Sequence, residues 1–310
     1  MSTLIGTPSL PMSIDATFPL NAQQPLAPFS TFRAGGPAEW LATPRSIGDL
    51  QASLSWAQAQ ALPVTLLGAG SNLLISDQGL PGLVICTRYL RQADFNRDTG
   101  QVTAAAGEPM ATLAWKAARH GCGGLEWMVG IPGTVGGAVV MNAGAHGGDT
   151  ASLLVSTDVL NPDGSVSTLT PEDLGYRYRT SVLQGDPRIV LNATFQLQPG
   201  KDPKALKAAT AADLHQRRST QPYHLPSCGS VFRNPRPHSA GQLIEAAGLK
   251  GFQIGQAQIA ERHANFILNL GGATATDILS VIRHAQSVIR QQHDIQLRPE
   301  VQILGAFALP

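Results

Sequence analysis

Three polar residues lie where the surrounding sequence does not require them, and their types suit proton and anion chemistry. They are Arg179 in YRYRTS, Ser230 in PSCGSVF and Glu300 in RPEVQILG. An arginine offers a planar fork of donors that matches a carboxylate or a phosphate. A serine hydroxyl that faces a cleft can transfer a proton. A carboxylate in an apolar strand has to be paired or functional, because burying it alone is costly.

Each of these residues also has a structural interpretation that the sequence leaves open. Arg179 can form a surface ion pair, Ser230 can complete a turn, and Glu300 can face solvent from an edge strand. The histidines and cysteines show no spacing typical of metal ligands, so no metal site is predicted. Residue types and spacing therefore name candidates but no reaction.

The most unusual stretch is Gly121–Gly148, GCGGLEWMVGIPGTVGGAVVMNAGAHGG, which holds ten of the chain's 32 glycines. Glycine is costly in backbone entropy, so this cluster indicates a backbone brought against a bulky ligand, with N–H groups directed at anionic oxygens. Interleaved apolar residues such as Trp127 and Val139 argue against a flexible linker. The alternative is a tight turn between core strands. A coenzyme cradle is favoured, but the stretch does not identify the coenzyme.

A shorter glycine loop, GAGSNLL at 68–74, directly follows a predicted strand at 64–67. A dinucleotide-binding fingerprint would need a third glycine where Leu73 stands, and no Gly-Lys-Ser/Thr follows to make a P-loop. The segment is therefore predicted to be a close-approach loop of neither kind. Ser71 and Asn72 can donate to a phosphate or ribose, or can simply satisfy the turn.

The composition is that of an ordinary soluble globular protein, with 310 residues, 14% charged residues and a formal net charge of +1. This balance gives no basic surplus for nucleic acid or for a membrane surface. No basic leader begins the chain, and no apolar run approaches the roughly 18 residues that span a bilayer. The three cysteines, Cys86, Cys122 and Cys228, are odd in number and far apart, which favours a reduced cytoplasmic location.

Alternating strands and helices have to position the candidate residues. Helices are predicted from Ser46, with Asp49 completing a capping box, and over residues 109–121, 203–219, 240–247 and 277–292. Strands are predicted at 39–43, 64–67, 82–87, 101–106, 189–197 and 265–270, in a hairpin at 158–169, and around Glu300. The predicted domains are a poorly ordered arm at 1–26, a coenzyme unit at 27–199 divided at about 87, a substrate domain at 200–296, and a C-terminal strand at 297–310 that returns to the active site.

The chain closely resembles the UDP-N-acetylenolpyruvoylglucosamine reductases, flavoenzymes of bacterial peptidoglycan precursor synthesis. The resemblance spans roughly residues 28 to 306 and depends on the order of LGAGSNLLISDQGLPGLVI, GIPGTVGGAVVMNAGAHG, YRTS, PSCGSVFRNP, HANFILN and RPEVQILG. It implies an α+β fold, with an FAD-binding unit of the para-cresol methylhydroxylase and vanillyl-alcohol oxidase type followed by a smaller α+β substrate domain. The short segment 181–200 resembles the second subgroup, which lacks a tyrosine-bearing insertion.

The resemblance also implies roles for individual residues. Arg179, Ser230 and Glu300 match the family's catalytic arginine, proton donor and catalytic glutamate. Arg217, Arg218 and Asn234 are expected at the UDP phosphates and the substrate. Non-covalent FAD is expected to be held by Gly68, Gly70, Ser71, Asn72, Leu73, Pro132, Gly133, Thr134, Gly136, Gly137, Asn142 and Ala143.

The implied reaction is the NADPH-dependent reduction of the enolpyruvyl ether of UDP-N-acetylglucosamine to UDP-N-acetylmuramate. NADPH reduces FAD and departs, the enolpyruvyl substrate binds in the same place and receives the hydride, and Ser230 protonates the adjacent carbon. A monomer in the bacterial cytoplasm is expected. Two rivals are an FAD-dependent oxidase on the same scaffold and a catalytically silent nucleotide-binding protein. The set YRTS, GSVF and PEVQ and the absence of an obvious flavin-tethering site argue against the oxidase, and the presence of Arg179, Ser230 and Glu300 argues against the silent protein.

Overall fold

The computed structural model describes residues 18–307, which form sixteen strands and six α-helices. The strands, in chain order, are β1 (Leu20–Pro25), β2 (Pro37–Ala42), β3 (Val64–Leu67), β4 (Leu73–Ile75), β5 (Leu80–Cys86), β6 (Ala93–Phe95), β7 (Gln101–Ala105), β8 (Gly144–Ala145), β9 (Gly148–Asp149), β10 (Leu154–Leu160), β11 (Val166–Leu169), β12 (Ile189–Gln196), β13 (Gln253–Ile254), β14 (Ala257–Ile259), β15 (Ile267–Asn269) and β16 (Gln302–Leu304). The helices are α1 (Ile47–Ala59), α2 (Met110–His120), α3 (Val135–Met141), α4 (Pro203–Thr220), α5 (Ala240–Ala246) and α6 (Ala275–His293).

The first layer is a four-stranded sheet of order β1-β2-β5-β3, in which the pairs β2–β5 and β5–β3 are parallel. Strand β5 is a nearly continuous apolar run that is buried along most of its length, as expected of a strand covered on both faces. Helix α1 begins with a capping box in which Ser46 Oγ accepts from the Asp49 N–H at 3.0 Å. Because β3 ends at Leu67, this sheet delivers the GAGSNLL loop directly from a buried strand end.

The second layer is an antiparallel five-stranded sheet of order β11-β10-β12-β7-β6. Its alternating apolar face, with Phe195 and Val102 fully buried, packs with α2 and the glycine-rich segment around one core. Helix α2 ends at Gly121, whose φ of +72° is the left-handed conformation typical of a helix C-terminus. Within the glycine-rich stretch, a short 3-10 helix over Glu126–Gly130 precedes α3, so the stretch is folded into the core.

The third unit packs α5 and α6 against the small antiparallel sheet β13-β14-β15. Its core also takes in Phe32, Ala34 and Leu74 from the first part of the chain. The last strand, β16, leaves this unit and pairs in parallel with β4, with Gln302 opposite Leu73. The chain thus returns to the end of the GAGSNLL loop just after Glu300.

A carboxylate fixes the third unit to the first. Asp77, in the turn between β4 and β5, accepts hydrogen bonds from the N–H groups of Ala275 at 2.7 Å and Thr276 at 2.8 Å. These are free donors at the beginning of α6, so a residue of one unit caps a helix of another. The contact holds the N-terminal end of α6 beside the strand that follows the GAGSNLL loop.

Three predictions are confirmed: the N-cap at Ser46, the end of a helix at Gly121 and the hairpin at 158–169. The prediction of a poorly ordered arm was wrong for residues 20–25. These residues form β1, and five of them pair in register with β2. Residues 1–17 of that arm lie outside the described residues. The strand predicted around Glu300 begins after it, at Gln302, and α6 begins before the predicted Asp277, at Ala275, because Thr274 is the N-cap. Helix α3 was not predicted.

Candidate active site

A cavity of about 1050 Å³ lies where the three units meet. It is lined by both glycine loops, by the turn that carries Arg179, and by the segments that carry Ser230 and Glu300. Most of the residues predicted to hold the cofactor line it: Gly68, Gly70, Ser71, Asn72, Leu73, Pro132, Gly133, Thr134, Gly136, Gly137 and Ala143. The two sets of residues that the sequence singles out thus share one site.

The first loop is closely packed and leaves no room for side chains at its glycines. Gly70 has a φ of +66°, and a Cβ there would overlap the carbonyl oxygen of Phe29. The Ser71 hydroxyl donates to the Pro132 carbonyl at 2.9 Å, and the Asn72 amide donates to the Glu300 carbonyl at 3.0 Å. Of the two interpretations left open, these contacts favour the structural one, because both side chains connect protein segments.

Arg88 is a contributor to this loop that the sequence reasoning did not identify. Its Nη2 donates to the carbonyl of Phe29 at 3.0 Å and to that of Ala69 at 3.4 Å, and its guanidinium lies over the Phe29 ring. The side chain therefore clamps the loop against the segment before it. No local signal distinguishes this arginine from a surface arginine in the sequence.

The second loop provides a buried polar atom that fits a bound cofactor. Thr134 is only 3% exposed, and its hydroxyl has no hydrogen-bond partner among the described residues. A Cβ at Gly68 would lie 2.8 Å from that hydroxyl, so glycine leaves the space before it open. An unpartnered buried hydroxyl is costly unless a ligand satisfies it. The loops thus fit FAD, whose phosphate and ribose oxygens offer such partners.

Arg179 extends across the site and contacts two distant segments. Its Nε donates to Glu300 Oε1 at 2.9 Å, its Nη2 to the Gly144 carbonyl at 2.8 Å, and its Nη1 to the Asn142 carbonyl at 3.4 Å. These bonds use three of the five N–H groups of a guanidinium, so each terminal nitrogen keeps one donor for a ligand. The interpretation of Arg179 as a surface ion pair does not hold, because the pair is partly buried and lines the cavity.

The backbone of Arg179 is also unusual. It is the third residue of the turn Arg177–Thr180, which is closed by hydrogen bonds in both directions, and its φ is +54°. This turn position usually favours glycine or asparagine. A bulky residue in the left-handed region points to a functional constraint.

Ser230 and Glu300 are brought together by backbone pairing between their segments. The N–H of Glu300 donates to the Val231 carbonyl at 2.7 Å, and the N–H of Arg233 donates to the Arg298 carbonyl at 3.0 Å. Both Ser230 and Glu300 line the cavity. Within residues 18–307 the Ser230 hydroxyl makes no hydrogen bond, which leaves it available to a ligand.

The electrostatics of Glu300 result from opposing effects. Burial raises the pKa of its carboxyl group, and the cations of Arg179 and Arg233 act in the opposite direction. A carboxyl group in a cleft whose pKa is shifted by burial and by specific charged neighbours is typical of a functional site. Cys228 lines the same cavity, but burial raises the pKa of its thiol, so it stays protonated and unreactive.

The residues predicted for the UDP phosphates separate into two groups. Arg217 lines the cavity, and its stem covers Gly130 so closely that a Cβ there would overlap it. Its Nε is buried and has no partner among residues 18–307. Arg218 is exposed and does not reach the cavity lining. Asn234 is also outside the lining, and its side chain accepts from the Ala240 N–H at 3.0 Å at the beginning of α5.

Asn142 is likewise not in the lining, although it was predicted to bind the cofactor. It ends α3 in the left-handed conformation, with a φ of +44°. Its amide donates to the Arg177 carbonyl at 3.2 Å and accepts from the Ala151 N–H at 3.0 Å. The backbone carbonyl of Asn142 accepts a hydrogen bond from Arg179, so Asn142 helps to hold the arginine side chain in place.

The described part of the chain shows neither a metal site nor a membrane-spanning helix. No group of three or more His, Cys, Asp or Glu residues among 18–307 is arranged to hold a metal ion. No helix in the same range is long and apolar enough to cross a membrane.

Comparisons with known proteins agree with this geometry. A family profile described as UDP-N-acetylenolpyruvoylglucosamine reductase, C-terminal domain, matches residues 221–304, and one described as FAD binding domain matches residues 38–170. The UDP-N-acetylenolpyruvoylglucosamine reductase of Nostoc sp. is 59% identical over 288 residues, which cover 93% of this chain and 87% of the relative. That of Synechocystis sp. is 54% identical over 309 residues, covering 99% and 97%.

A solved structure extends the similarity to the fold. The crystal structure of UDP-N-acetylenolpyruvylglucosamine reductase from Thermus caldophilus matches with a TM-score of 0.77 at 34% identity, covering 93% of this chain and 99% of that one. Sequence and fold agree over nearly the whole length. The chain belongs to the UDP-N-acetylenolpyruvoylglucosamine reductase family.

Proposed function

We propose that the cavity carries out the NADPH-dependent reduction of UDP-N-acetylglucosamine-enolpyruvate, and that Arg179, Ser230 and Glu300 are its catalytic residues. The product is UDP-N-acetylmuramate, a precursor of peptidoglycan. One observation carries the assignment of residues: Arg179 and Glu300, 121 positions apart in the chain, form an ion pair on the wall of the cavity that both glycine loops line. The oxidase alternative is not retained, because the chain belongs to the reductase family.

The cofactor is FAD, and this chain's glycine loops would hold it. Gly68, Gly70 and Gly136 keep the backbone free of side chains, and the Thr134 hydroxyl offers a buried donor to the cofactor's oxygens. The chemistry that FAD supplies when bound is the relay of a hydride from NADPH to the enolpyruvyl group. The loops bind and orient, and the packed wall around them excludes water.

Arg179 and Glu300 act on the substrate carboxylate in this proposal. The two free N–H groups of Arg179 form a fork that suits a carboxylate on which negative charge increases during the reaction. The bonds to Glu300 and Gly144 fix the guanidinium in advance, so little reorganisation is needed when that charge develops. Glu300 holds the arginine in place and itself lines the cavity.

Ser230 supplies the proton that completes the reduction. A free serine hydroxyl is a weak acid, so its position has to provide the advantage. Its hydroxyl is unengaged by residues 18–307 and lies on the cavity wall with Arg179 and Glu300. Proton transfer from a positioned side chain contributes typically about 10²- to 10⁴-fold to a rate.

Arg217 is the residue we propose for the diphosphate of the sugar nucleotide. Its buried Nε lacks a partner in the described part of the chain and its side chain reaches the cavity, so an anionic ligand would satisfy it. The geometry gives no corresponding support to Arg218 or Asn234. We also propose a monomer acting in the cytoplasm, because the described chain supplies every site residue named here and its three cysteines are buried and unpaired.

The decisive experiment separates the two halves of the reaction by stopped-flow absorbance of the flavin. With the parent enzyme, NADPH should bleach the flavin and the enolpyruvyl sugar nucleotide should restore its colour. With Ser230→Ala, bleaching should be unchanged while the return of colour slows by about 10²- to 10⁴-fold. A preparation that retains no flavin, or a Ser230→Ala variant with an unchanged second half, would contradict the proposal.

A further inference from the structure

The segment that carries Ser230 is held on both of its edges. On one edge it pairs with the segment before β16, where the Val231 carbonyl accepts from the Glu300 N–H at 2.7 Å. On the other edge it meets Asn265, whose carbonyl accepts from the Val231 N–H at 2.9 Å. The segment therefore has hydrogen-bonded neighbours on two sides, as a central strand has, but on one side the neighbour is Asn265 alone.

The side chain of Asn265 makes the backbone hydrogen bonds that a neighbouring strand would make. Its Oδ1 accepts from the Phe232 N–H at 2.9 Å, and its Nδ2 donates to the Phe232 carbonyl at 2.8 Å. Both residues are buried, with Asn265 only 4% exposed and Phe232 only 2%. The amide thus satisfies two backbone groups that would otherwise lack partners in the interior, where an unsatisfied donor or acceptor is destabilising.

This clamp matters because no side-chain hydrogen bond within residues 18–307 fixes the hydroxyl of Ser230. That hydroxyl makes no hydrogen bond within residues 18–307, so its location is set by the backbone immediately before Val231 and Phe232. The same backbone also receives the N–H of Glu300. Asn265 itself is absent from the cavity lining, so it has no direct contact with a ligand there.

We propose that Asn265 is a positioning residue for the protonation step, because its amide fixes the backbone that places Ser230 and receives Glu300. The inference rests on the proposed role of Ser230. Asn265 acts through the segment from Ser230 to Phe232 and supplies neither a proton nor a binding contact. Its loss should therefore slow the half of the reaction that needs the proton and leave the NADPH half unchanged.

The chain offers a matched control in Asn269, another buried asparagine of the same region. Asn269 is 3% exposed, its Nδ2 donates to the Phe32 carbonyl at 2.8 Å, and its Oδ1 accepts from the N–H groups of Gly271 and Ala273. It has the same chemistry and burial as Asn265, but it holds a different segment. A loss of stability alone should affect both variants alike.

The test uses the FAD-loaded full chain with Asn265→Ser, Asn265→Asp, Asn269→Asp and Ser230→Ala. Asn265→Asp keeps the shape but replaces the donor with an oxygen that faces the Phe232 carbonyl. Asn265→Ser is the milder change, which keeps the test decisive if the aspartate variant does not fold. The measurements are the two half-reaction rates, the solvent deuterium isotope effect on the second, and the exchange rate of the Phe232 amide hydrogen.

The expected result is a second half-reaction slower by about 10²-fold in Asn265→Ser, as for a catalytic group misplaced by roughly 1 Å. Its solvent isotope effect should rise, the Phe232 amide should exchange faster, and the bleaching rate should be that of the parent. Asn269→Asp should keep the parent's ratio of the two rates. Equal slowing of both halves in Asn265→Ser, or no slowing despite faster exchange at Phe232, would overturn the inference. An unaffected Ser230→Ala would instead overturn the proposed role of Ser230.

Discussion

The glycine loops and the three side chains that we propose as catalytic share one cavity but are constructed in different ways. The loops use backbone shape: Gly70 is left-handed and packed against Phe29, and the glycines that permit this close approach are neighbours in the sequence. The catalytic group uses side chains from segments far apart in the chain, which meet through bonds such as Arg179 to Glu300. A cradle can therefore be recognised locally in a sequence, whereas a catalytic arrangement depends on the completed fold.

The strongest test of this contrast is Arg179→Lys, which keeps the charge but removes the fork. We expect the flavin to remain bound, because Arg179 makes its described contacts with Glu300 and with carbonyls of the glycine-rich stretch. The second half-reaction should slow by about 10²- to 10³-fold, the usual cost of removing one preorganised donor. Stopped-flow rates and the flavin absorbance of the purified variant measure the two effects separately. Turnover equal to the parent's would show that the fork is not used.

The converse test is Gly70→Ala, which should damage the cradle. The added Cβ would overlap the Phe29 carbonyl oxygen, and overpacking of this kind costs about 1–3 kcal/mol. FAD affinity, measured by flavin fluorescence on titration, should fall by about 10- to 100-fold on the same scale. Gly164→Ala is the control, because Gly164 is also left-handed, at +84°, but has open space around it. Equal effects in the two variants would mean that backbone conformation, and not close approach, requires the glycine.

Asp77→Ala tests how firmly the two regions are joined. The variant loses the acceptors for the first N–H groups of α6, and losing a helix cap typically costs about 1 kcal/mol. Asp202→Ala is the matched control, since Asp202 caps α4, the helix that follows it directly. Both should lower the midpoint of urea unfolding. Only Asp77→Ala should also accelerate amide exchange in β4 and β16. Identical exchange patterns in the two variants would contradict the proposal that Asp77 joins the first unit to the third.

The smallest expected effect is a pH dependence due to Glu300. Burial raises the pKa of this carboxyl group above its ordinary value of 4.5, against the opposing cations of Arg179 and Arg233. The folded state then binds the proton more tightly than the unfolded state. Stability from this group is therefore present at low pH and is lost as the pH rises from about 4.5 through the raised pKa. The difference in unfolding free energy between the parent and Glu300→Gln should fall across that range. A difference that rises would show that the charge of Arg179 outweighs burial and lowers the pKa of Glu300.

The parts of the fold that were predictable are those set by short-range chemistry. The Ser46 capping box, the Gly121 stop and the turn of the 158–169 hairpin each follow from a few adjacent residues. Helix α3 was missed because Gly136 and Gly137 lie in its first turn, and glycine disfavours helix by about 1 kcal/mol. In the structure, packing of Val135 and Val139 into the core offsets that penalty.

Most, but not all, of the residues named from the sequence line the cavity, and their contacts were not predictable. The motifs named Arg179, Ser230 and Glu300, but nothing local indicates that Arg179 would reach Gly144 or that Glu300 would pair with the Val231 carbonyl. Asn142 and Asn234 lie within motifs, yet their amides satisfy backbone groups of neighbouring segments. A polar residue near a functional sequence can serve the protein or the ligand, and only its partners in space distinguish the two roles.

The bond between the Asn72 amide and the Glu300 carbonyl spans 228 positions of the chain and has a consequence for biosynthesis. Ribosomes add about 5–20 residues per second, so the nascent GAGSNLL loop waits on the order of 10–50 s before its partner emerges. The glycine-rich stretch is translated within that interval, whereas the bonds of Glu300 to Arg179 and Asn72 and the pairing of β16 with β4 have to await the segment that carries Glu300. Flavin capture can therefore begin before the ion pair of Arg179 and Glu300 forms.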